Sequence, residues 1–198
     1  MRKIGILGGS FNPIHHAHLK MASCALKQFD LDDMWLIPAK CPPHKQDMIF
    51  DDEHRLNMLR LGISEYPGLS LHLYEYQKEG LSYTVETLRA LKEMYPDTDF
   101  YYVMGEDSLY DFPKWYQPSE IAALANIIVA CRPDVESDFA ELLQKRREEF
   151  HNPFYRLNMD LLAISSTEIR ERLKNGLPIT DLVPKTVAAY IEQHHLYQ

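Results

Sequence analysis

The sequence is poor in cysteine, with only Cys24, Cys41 and Cys131 among its 198 residues. Their number is odd, they lie far apart, and no two of them have the CxxC spacing. This pattern argues against a disulfide framework and against a structural zinc site, and it is typical of a reducing compartment. We therefore expect a cytoplasmic protein.

Long apolar runs are missing as well. No stretch of the sequence approaches the roughly 20 consecutive apolar residues that cross a bilayer. The start, Met1-Arg2-Lys3 followed by a short apolar segment, does not fit a secretory signal peptide. We expect no membrane partner.

Positive charge is the third shortage. Lysine and arginine number 21 against 29 acidic residues, which gives a formal net charge of −8. Nucleic-acid-binding domains are usually basic, so we expect no nucleic-acid partner. An anionic nucleotide substrate is still compatible with this charge if the cationic side chains are gathered at one place.

The pattern that is present is an alternation of apolar strands and amphipathic helices. The length and the hydrophobic content of 45% predict a single domain over residues 1–198. The alternation predicts an α/β fold with a Rossmann-like, doubly wound and mostly parallel sheet. Strands are predicted at residues 3–7, 34–38, 69–74, 99–104, 127–131 and 161–164. Helices are predicted from residue 14, at 51–66, 82–95, 139–150 and 165–174, and from residue 184.

The first twenty residues carry the strongest signal of function. A glycine turn, Gly8-Gly9-Ser10-Phe11-Asn12-Pro13, joins the first strand to a helix that begins near His15 and His18. Glycines let the backbone approach an anion, and a helix start offers N–H groups and partial positive charge. The two histidines also fit a metal pair or plain surface residues. The turn matches neither GxGxxG nor GxxxxGK[ST].

Two later segments offer further polar donors. Pro42-Pro43-His44-Lys45 follows the second strand, so the prolines stiffen a loop that carries two phosphate donors, or simply a solvated surface loop. Gly80 to Thr84 precede a helix whose N–H groups and Thr84 hydroxyl suit a carboxylate or phosphate. N-capping by Ser82 is the competing interpretation.

The second half of the chain contains candidate residues for binding a ribose, an aromatic ring and a phosphate. Asp107, after Gly105 at a strand end, suits a ribose hydroxyl or a helix cap, and Trp115 suits a flat ligand or the core. The segment ISSTEIR offers the Ser166 and Thr167 hydroxyls and the Arg170 guanidinium to phosphate oxygens. The same residues also read as a capping box with a surface arginine.

Taken together, these segments resemble the nicotinate-nucleotide adenylyltransferase family, within the nucleotidyltransferase superfamily that carries the (H/T)xGH motif. The resemblance spans about residues 3–170 and rests on GGSFNPIHHAH, PPHK, GLSYT, GED, Trp115 and ISSTEIR. It implies that the adenylyl group of ATP is transferred to nicotinate mononucleotide, with Mg²⁺ bound mainly through the ATP phosphates rather than by a protein metal site.

The resemblance also implies roles for individual residues. His15, His18 and Arg170 would be catalytic. The ATP site would further include Gly8, Gly9, Ser10, Phe11, Gly105, Asp107, Ser166 and Thr167. The mononucleotide site would comprise His44, Lys45, Ser82, Tyr83, Thr84 and Trp115.

Two residues depart from the family pattern, since Asn12 stands where Asp is usual and Ala17 where Gly is usual. These departures leave open a nucleotide-binding regulatory module that has lost turnover. A sister adenylyltransferase acting on nicotinamide mononucleotide or phosphopantetheine is the other alternative. The apolar segment 187–191 fits either core or a subunit interface, so a homo-oligomer stays open.

Overall fold

Six parallel strands form one sheet in the computed structural model, which describes residues 1–41, 51–78, 80–130, 136–160 and 162–198. The strands are β1 Arg2–Gly9, β2 Asp33–Pro38, β3 Leu69–Leu71, β4 Thr98–Gly105, β5 Asn126–Ala130 and β6 Phe154–Leu157. Their order in the sheet is β3-β2-β1-β4-β5-β6. Every pair of neighbouring strands runs parallel. The predicted Rossmann-like α/β fold is confirmed.

Helices connect the strands and cover both faces of the sheet. They are α1 His16–Gln28, α2 Asp52–Ile63, α3 Tyr74–Gln77, α4 Thr84–Met94, α5 Glu106–Asp111, α6 Pro118–Leu124, α7 Glu136–Phe150, α8 Ser166–Lys174 and α9 Lys185–Gln193. Each helix in the described part of the chain is too short or too polar to cross a lipid bilayer.

The strand order reverses at β1. Ile6 of β1 lies opposite Trp35 of β2 on one side and opposite Tyr102 of β4 on the other. From β1 the chain first winds outward through β2 and β3, and then returns to build β4, β5 and β6 on the opposite edge. In open parallel sheets a ligand binds at such a switch point, beyond the carboxyl ends of the strands.

Alternate side chains of the strands enter two separate apolar layers. Ile4 and Ile6 of β1 lie in the layer that contains Val85 and Leu88 of α4. Leu7 lies in the opposite layer with residues of α1, α2 and α9. Val187 and Ile191 are buried in that second layer, so the apolar segment 187–191 belongs to the core.

The predicted sixth strand at residues 161–164 is wrong. Leu161 lies outside the described residues, Leu162 is 38% exposed, and residues 162–164 are not a strand. The strand is β6 instead, with Phe154 opposite Ile127 of β5. The charged Arg156 interrupts the apolar pattern of this short segment, so the pattern does not indicate a strand there. Asn152 places it beside β5, because its Nδ2 donates to the carbonyl of Ala125 at 3.1 Å.

The predicted third strand is correct only as far as Leu71. Residues 74–77 form α3 instead, although two tyrosines there favour a strand by propensity. The helix is held by tertiary contacts, since Tyr76 donates to Asp52 at 2.9 Å and Glu75 accepts from Thr87 at 2.8 Å. The short helices α5 and α6 were also not predicted.

Gly5 marks the tightest approach between β1 and its neighbours. A Cβ atom there would lie 2.2 Å from the Met34 sulfur and 2.8 Å from Leu31 Cδ1, both buried. We expect Gly5→Ala to lower the free energy of unfolding by about 1–3 kcal/mol through overpacking. Urea denaturation measures this. Gly105→Ala is the control, because a Cβ atom there meets nothing within 4 Å. Equal stability of the two variants would contradict the close packing of Gly5 against Met34 and Leu31.

Candidate active site

The loop between β1 and α1 is held through its carbonyl groups. The Ser10 carbonyl accepts from Arg55 Nη1 at 3.0 Å, and the Asn12 carbonyl accepts from Arg170 Nη1 at 2.8 Å. The Pro13 carbonyl accepts from Ser166 Oγ at 2.9 Å. Because these oxygens are paired with donors from α2 and α8, the loop is better suited to an anion than to a cation.

Close packing explains both glycines of the turn. A Cβ atom on Gly8 would lie 2.9 Å from the Tyr102 hydroxyl, and one on Gly9 would lie 3.2 Å from the ring of Phe11. Phe11 is itself buried and has a left-handed φ of 45°. The turn is therefore a packed, fixed structure, and its bare backbone also allows a ligand to approach.

His15 and His18 stack on each other at the start of α1. Their ring centroids are 3.6 Å apart at an interplanar angle of 20°. His15 is the N-cap residue and not part of the helix, and it is only 4% exposed. Burial, with a smaller effect from His16, lowers the pKa of His15 to about 4. At neutral pH this ring is uncharged, so it offers a phosphate one N–H rather than a positive charge.

Helix α8 brings its hydroxyls and Arg170 to the same loop. Ser165 accepts from the Glu168 N–H at 3.1 Å, which is the serine bond of the predicted capping box, while Glu168 Oε1 accepts from Arg172 at 2.9 Å. Arg170 Nη2 donates to Thr167 Oγ1 at 3.2 Å, in addition to its bond to the Asn12 carbonyl. These bonds fix a guanidinium group that has five N–H donors in total.

We call the space between these elements the loop–α8 cavity. Its volume is about 650 Å³. It brings together nine of the residues predicted to bind ATP, namely Gly9, Ser10, His15, His18, Gly105, Asp107, Ser166, Thr167 and Arg170. Asp107 lies in the first turn of α5, whose N-cap is Gly105, so the alternative role of Asp107 as a helix cap is wrong.

A second space, the ring cavity, has a volume of about 800 Å³ and lies at the start of α4. Tyr83, Thr84, Asp107 and Trp115 line it. Trp115 is half-buried, and its ring is nearly perpendicular to that of Tyr102, with ring centroids 6.1 Å apart. The packing of Trp115 against the core is therefore confirmed, and its stacking on a flat ligand stays a prediction, since the residue also lines a cavity.

Ser82 does not cap α4, contrary to the alternative interpretation. The N-cap residue is Tyr83, which makes no side-chain cap bond. Ser82 instead exchanges two hydrogen bonds with Cys41: its N–H donates at 2.9 Å, and its Oγ accepts at 3.2 Å. Ser82 thereby ties the GLSYT segment to the chain after β2. His44 and Lys45 follow there and lie outside the described residues.

A third space, the middle cavity, lies between the other two and has a volume of about 390 Å³. It shares Gly9, Ser10 and His18 with the loop–α8 cavity and Trp115 with the ring cavity. Gly8, Glu75 and Tyr102 complete its polar wall. The three spaces therefore adjoin along the carboxyl ends of β1 and β4.

Sequence reasoning missed Arg55, Glu75 and Tyr102. All three are buried. A signal existed for Arg55, which precedes the apolar Leu59 by one helical turn and so lies on the inner face of α2. No local signal existed for Glu75 and Tyr102, because their partners are distant in the sequence.

The two departures from the family pattern are both buried. Asn12 Oδ1 accepts a hydrogen bond from the Tyr197 hydroxyl. Ala17 is buried at the wall of the loop–α8 cavity. Neither change removes a donor from that cavity.

Comparisons with known proteins agree with this geometry. The cytidylyltransferase-like family model matches residues 6–172. A probable nicotinate-nucleotide adenylyltransferase of Synechococcus sp. (strain JA-3-3Ab) is 43% identical, covering 99% of this chain and 95% of that protein. The nicotinate-nucleotide adenylyltransferase of Bacillus subtilis (strain 168) is 38% identical, with 100% of both chains covered.

A solved structure shares the fold. It is Plasmodium falciparum nicotinic acid mononucleotide adenylyltransferase complexed with NaAD, which is 22% identical with a TM-score of 0.80. The match covers 100% of this chain and 98% of that chain.

The lowered pKa of His15 predicts a specific loss of stability in acid. The unfolded chain protonates this histidine below its ordinary pKa of 6.5, whereas the folded chain does so only near 4. Between these values the unfolded state binds more protons, so stability falls as the pH falls. From pH 7.5 to pH 5 we expect the native chain to lose about 2 kcal/mol more than His15→Gln. Urea denaturation at both pH values tests this. His16→Gln is the control and should keep the loss. Equal losses in the native chain and His15→Gln would contradict the buried, neutral His15.

Proposed function

The chain belongs to the nicotinate-nucleotide adenylyltransferase family, and we propose that it transfers the adenylyl group of ATP to nicotinate mononucleotide. The products are nicotinic acid adenine dinucleotide and pyrophosphate, a step of NAD biosynthesis. The observation that carries this function is the adjacency of the loop–α8 cavity, which is rich in phosphate donors, to a ring cavity with an aromatic wall. A homo-oligomer, a cytoplasmic location and the absence of nucleic-acid partners stay predictions.

The residue types suit this reaction without a nucleophile–base pair. The mononucleotide phosphate is already anionic near neutral pH, so it attacks the α-phosphorus of ATP without a general base. Catalysis then consists of positioning and of stabilising charge on the reacting phosphate and on the leaving pyrophosphate. We assign this work to His18, Arg170 and the neutral His15, which line one cavity.

We propose that Mg²⁺ enters with ATP. Within the described residues, no group of three or more His, Cys, Asp or Glu side chains is arranged to hold a metal ion. Two carboxylates, Glu106 and Asp107, line the loop–α8 cavity. Mg²⁺ is usually bound through one or two carboxylates together with substrate phosphates and water, so this lining supports a cation held mainly by phosphate oxygens and water. Such a cation would neutralise charge on the leaving pyrophosphate.

The start of α4 supports a preference for the acid form of the mononucleotide. Thr84 is the first residue of this helix and lines the ring cavity, so unpaired N–H groups and partial positive charge lie there. The carboxylate in the first turn is Glu86, and it is neutralised by Lys78, whose Nζ donates to it at 2.7 Å. A ring carboxylate accepts from such donors, whereas an amide brings its own N–H groups toward them.

We therefore expect a higher kcat/KM for nicotinate mononucleotide than for nicotinamide mononucleotide. The helix start contributes roughly 0.3–2 kcal/mol, and the mismatched amide costs about 1–3 kcal/mol. Together these correspond to a preference of roughly tenfold to a few thousandfold. Release of pyrophosphate from ATP with each mononucleotide measures it. Equal values would contradict the role of α4, and no release with either would contradict the function.

We expect His18→Ala to lower kcat by at least ~10²-fold, with a smaller change in the KM for the mononucleotide. A donor to the reacting phosphate acts mainly in the transition state, where its loss costs roughly 2.7–4 kcal/mol. His16→Ala is the matched control, because His16 lies in the same helical turn and outside the walls of the three cavities. An unchanged kcat in His18→Ala would show that His18 is only structural.

A further inference from the structure

Glu75 is a buried carboxylate at the centre of the site, and one of its two oxygens has no hydrogen-bond partner among the described residues. It lies on α3 and is only 8% exposed. Its Oε1 accepts from the Thr87 hydroxyl of α4 at 2.8 Å. Its Oε2 is shielded from solvent and has no hydrogen-bond partner among the described residues. Buried polar atoms nearly always have a partner, so this oxygen requires an explanation.

The position of Glu75 suggests where the missing donor comes from. Glu75 lines the middle cavity together with Gly8, Gly9 and Trp115. The described walls of this cavity contain no lysine or arginine that would pair with the carboxylate. The nearby Tyr102 hydroxyl bonds to Thr84. Its pKa is raised to about 12, mainly by burial and further by the charge of Glu75. Tyr102 therefore keeps its own proton at neutral pH.

The proposed reaction places one part of the substrate in this cavity. The pyridine ring belongs in the ring cavity beside Thr84 and Trp115, while the phosphate must reach Ser10 and His18. The ribose joins the ring to the phosphate, so it spans the middle cavity that shares walls with both neighbours. A ribose presents two hydroxyl donors, and the ring nitrogen bonded to it is a cationic pyridinium.

We propose that Glu75 binds the ribose of the pyridine mononucleotide: its carboxylate turns toward the middle cavity, and Oε2 accepts a hydrogen bond from a ribose hydroxyl. Because the ring nitrogen is bonded to this ribose, a ribose bound at Glu75 also brings the positive charge of the ring toward the carboxylate. The ligand thus supplies both the donor and the positive charge that the described walls lack. This inference rests on the proposed function, because it assigns a residue to the mononucleotide of that reaction.

The first test is Glu75→Gln, which keeps the size of the side chain and an oxygen to accept from Thr87. We expect the Kd for nicotinate mononucleotide, measured by calorimetry without ATP, to rise about tenfold. The KM for the mononucleotide should rise in parallel, while the KM for ATP and the urea midpoint stay unchanged. Glu93→Gln, a carboxylate of α4 outside the walls of the three cavities, is the matched control.

The second test uses the native chain and so does not depend on a variant that folds. Of the 2′-deoxy and 3′-deoxy forms of nicotinate mononucleotide, one should bind the native chain about tenfold more weakly than the parent. The same analogue should lose little further affinity in Glu75→Gln, because the two changes remove one interaction.

The outcomes separate this inference from the proposed function. Equal binding of the parent and both deoxy forms by the native chain would overturn the inference. An unchanged Kd in Glu75→Gln would do the same, and would limit Glu75 to holding α3 against α4. Binding of the mononucleotide without formation of a dinucleotide would overturn the proposed function and leave the role of Glu75 intact.

Discussion

The site depends on one buried guanidinium group. Arg55 Nη1 donates to the carbonyls of Ser10 at 3.0 Å and Ala39 at 2.6 Å, so it joins the loops that follow β1 and β2. Its Nη2 pairs with Asp52 at 2.7 Å and donates to the Tyr76 hydroxyl. A buried cation is tolerated only with such partners, and removing the Asp52 carboxylate would leave an uncompensated charge. The loop geometry is therefore linked to α2 and α3.

Helix α3 extends this network to the other half of the site. Adjacent side chains on this single turn point to different partners: Tyr76 contacts Arg55 behind the glycine loop, and Glu75 contacts Thr87 of α4. The phosphate-donor elements and the ring-binding helix are thus braced against each other through a four-residue segment. Their spacing is set by these hydrogen bonds within the protein, which is the preorganisation that positional catalysis requires.

Local chemistry made part of this architecture predictable. The glycine turn, the Ser165 cap and the strand–helix alternation depend on residues that are neighbours in the sequence, so the sequence alone predicts them. The helix α3 and the strand β6 were mispredicted because tertiary partners, Asp52 and Thr87 for α3 and Ala125 for β6, override weak local preference. Glu75 was missed for the same reason. For Arg55 the helical pattern indicates burial, but its contacts with the loops exist only after distant elements meet.

The central claim is that the loop–α8 cavity and the ring cavity are two ends of one substrate site. A crystal structure with nicotinic acid adenine dinucleotide tests it most directly. The account predicts that the pyridine ring lies between Thr84 and Trp115, that the linking diphosphate lies against Ser10 and His18, and that one ribose meets Glu75. A dinucleotide bound away from the carboxyl ends of β1 and β4, or with its pyridine ring in the loop–α8 cavity, would contradict the account.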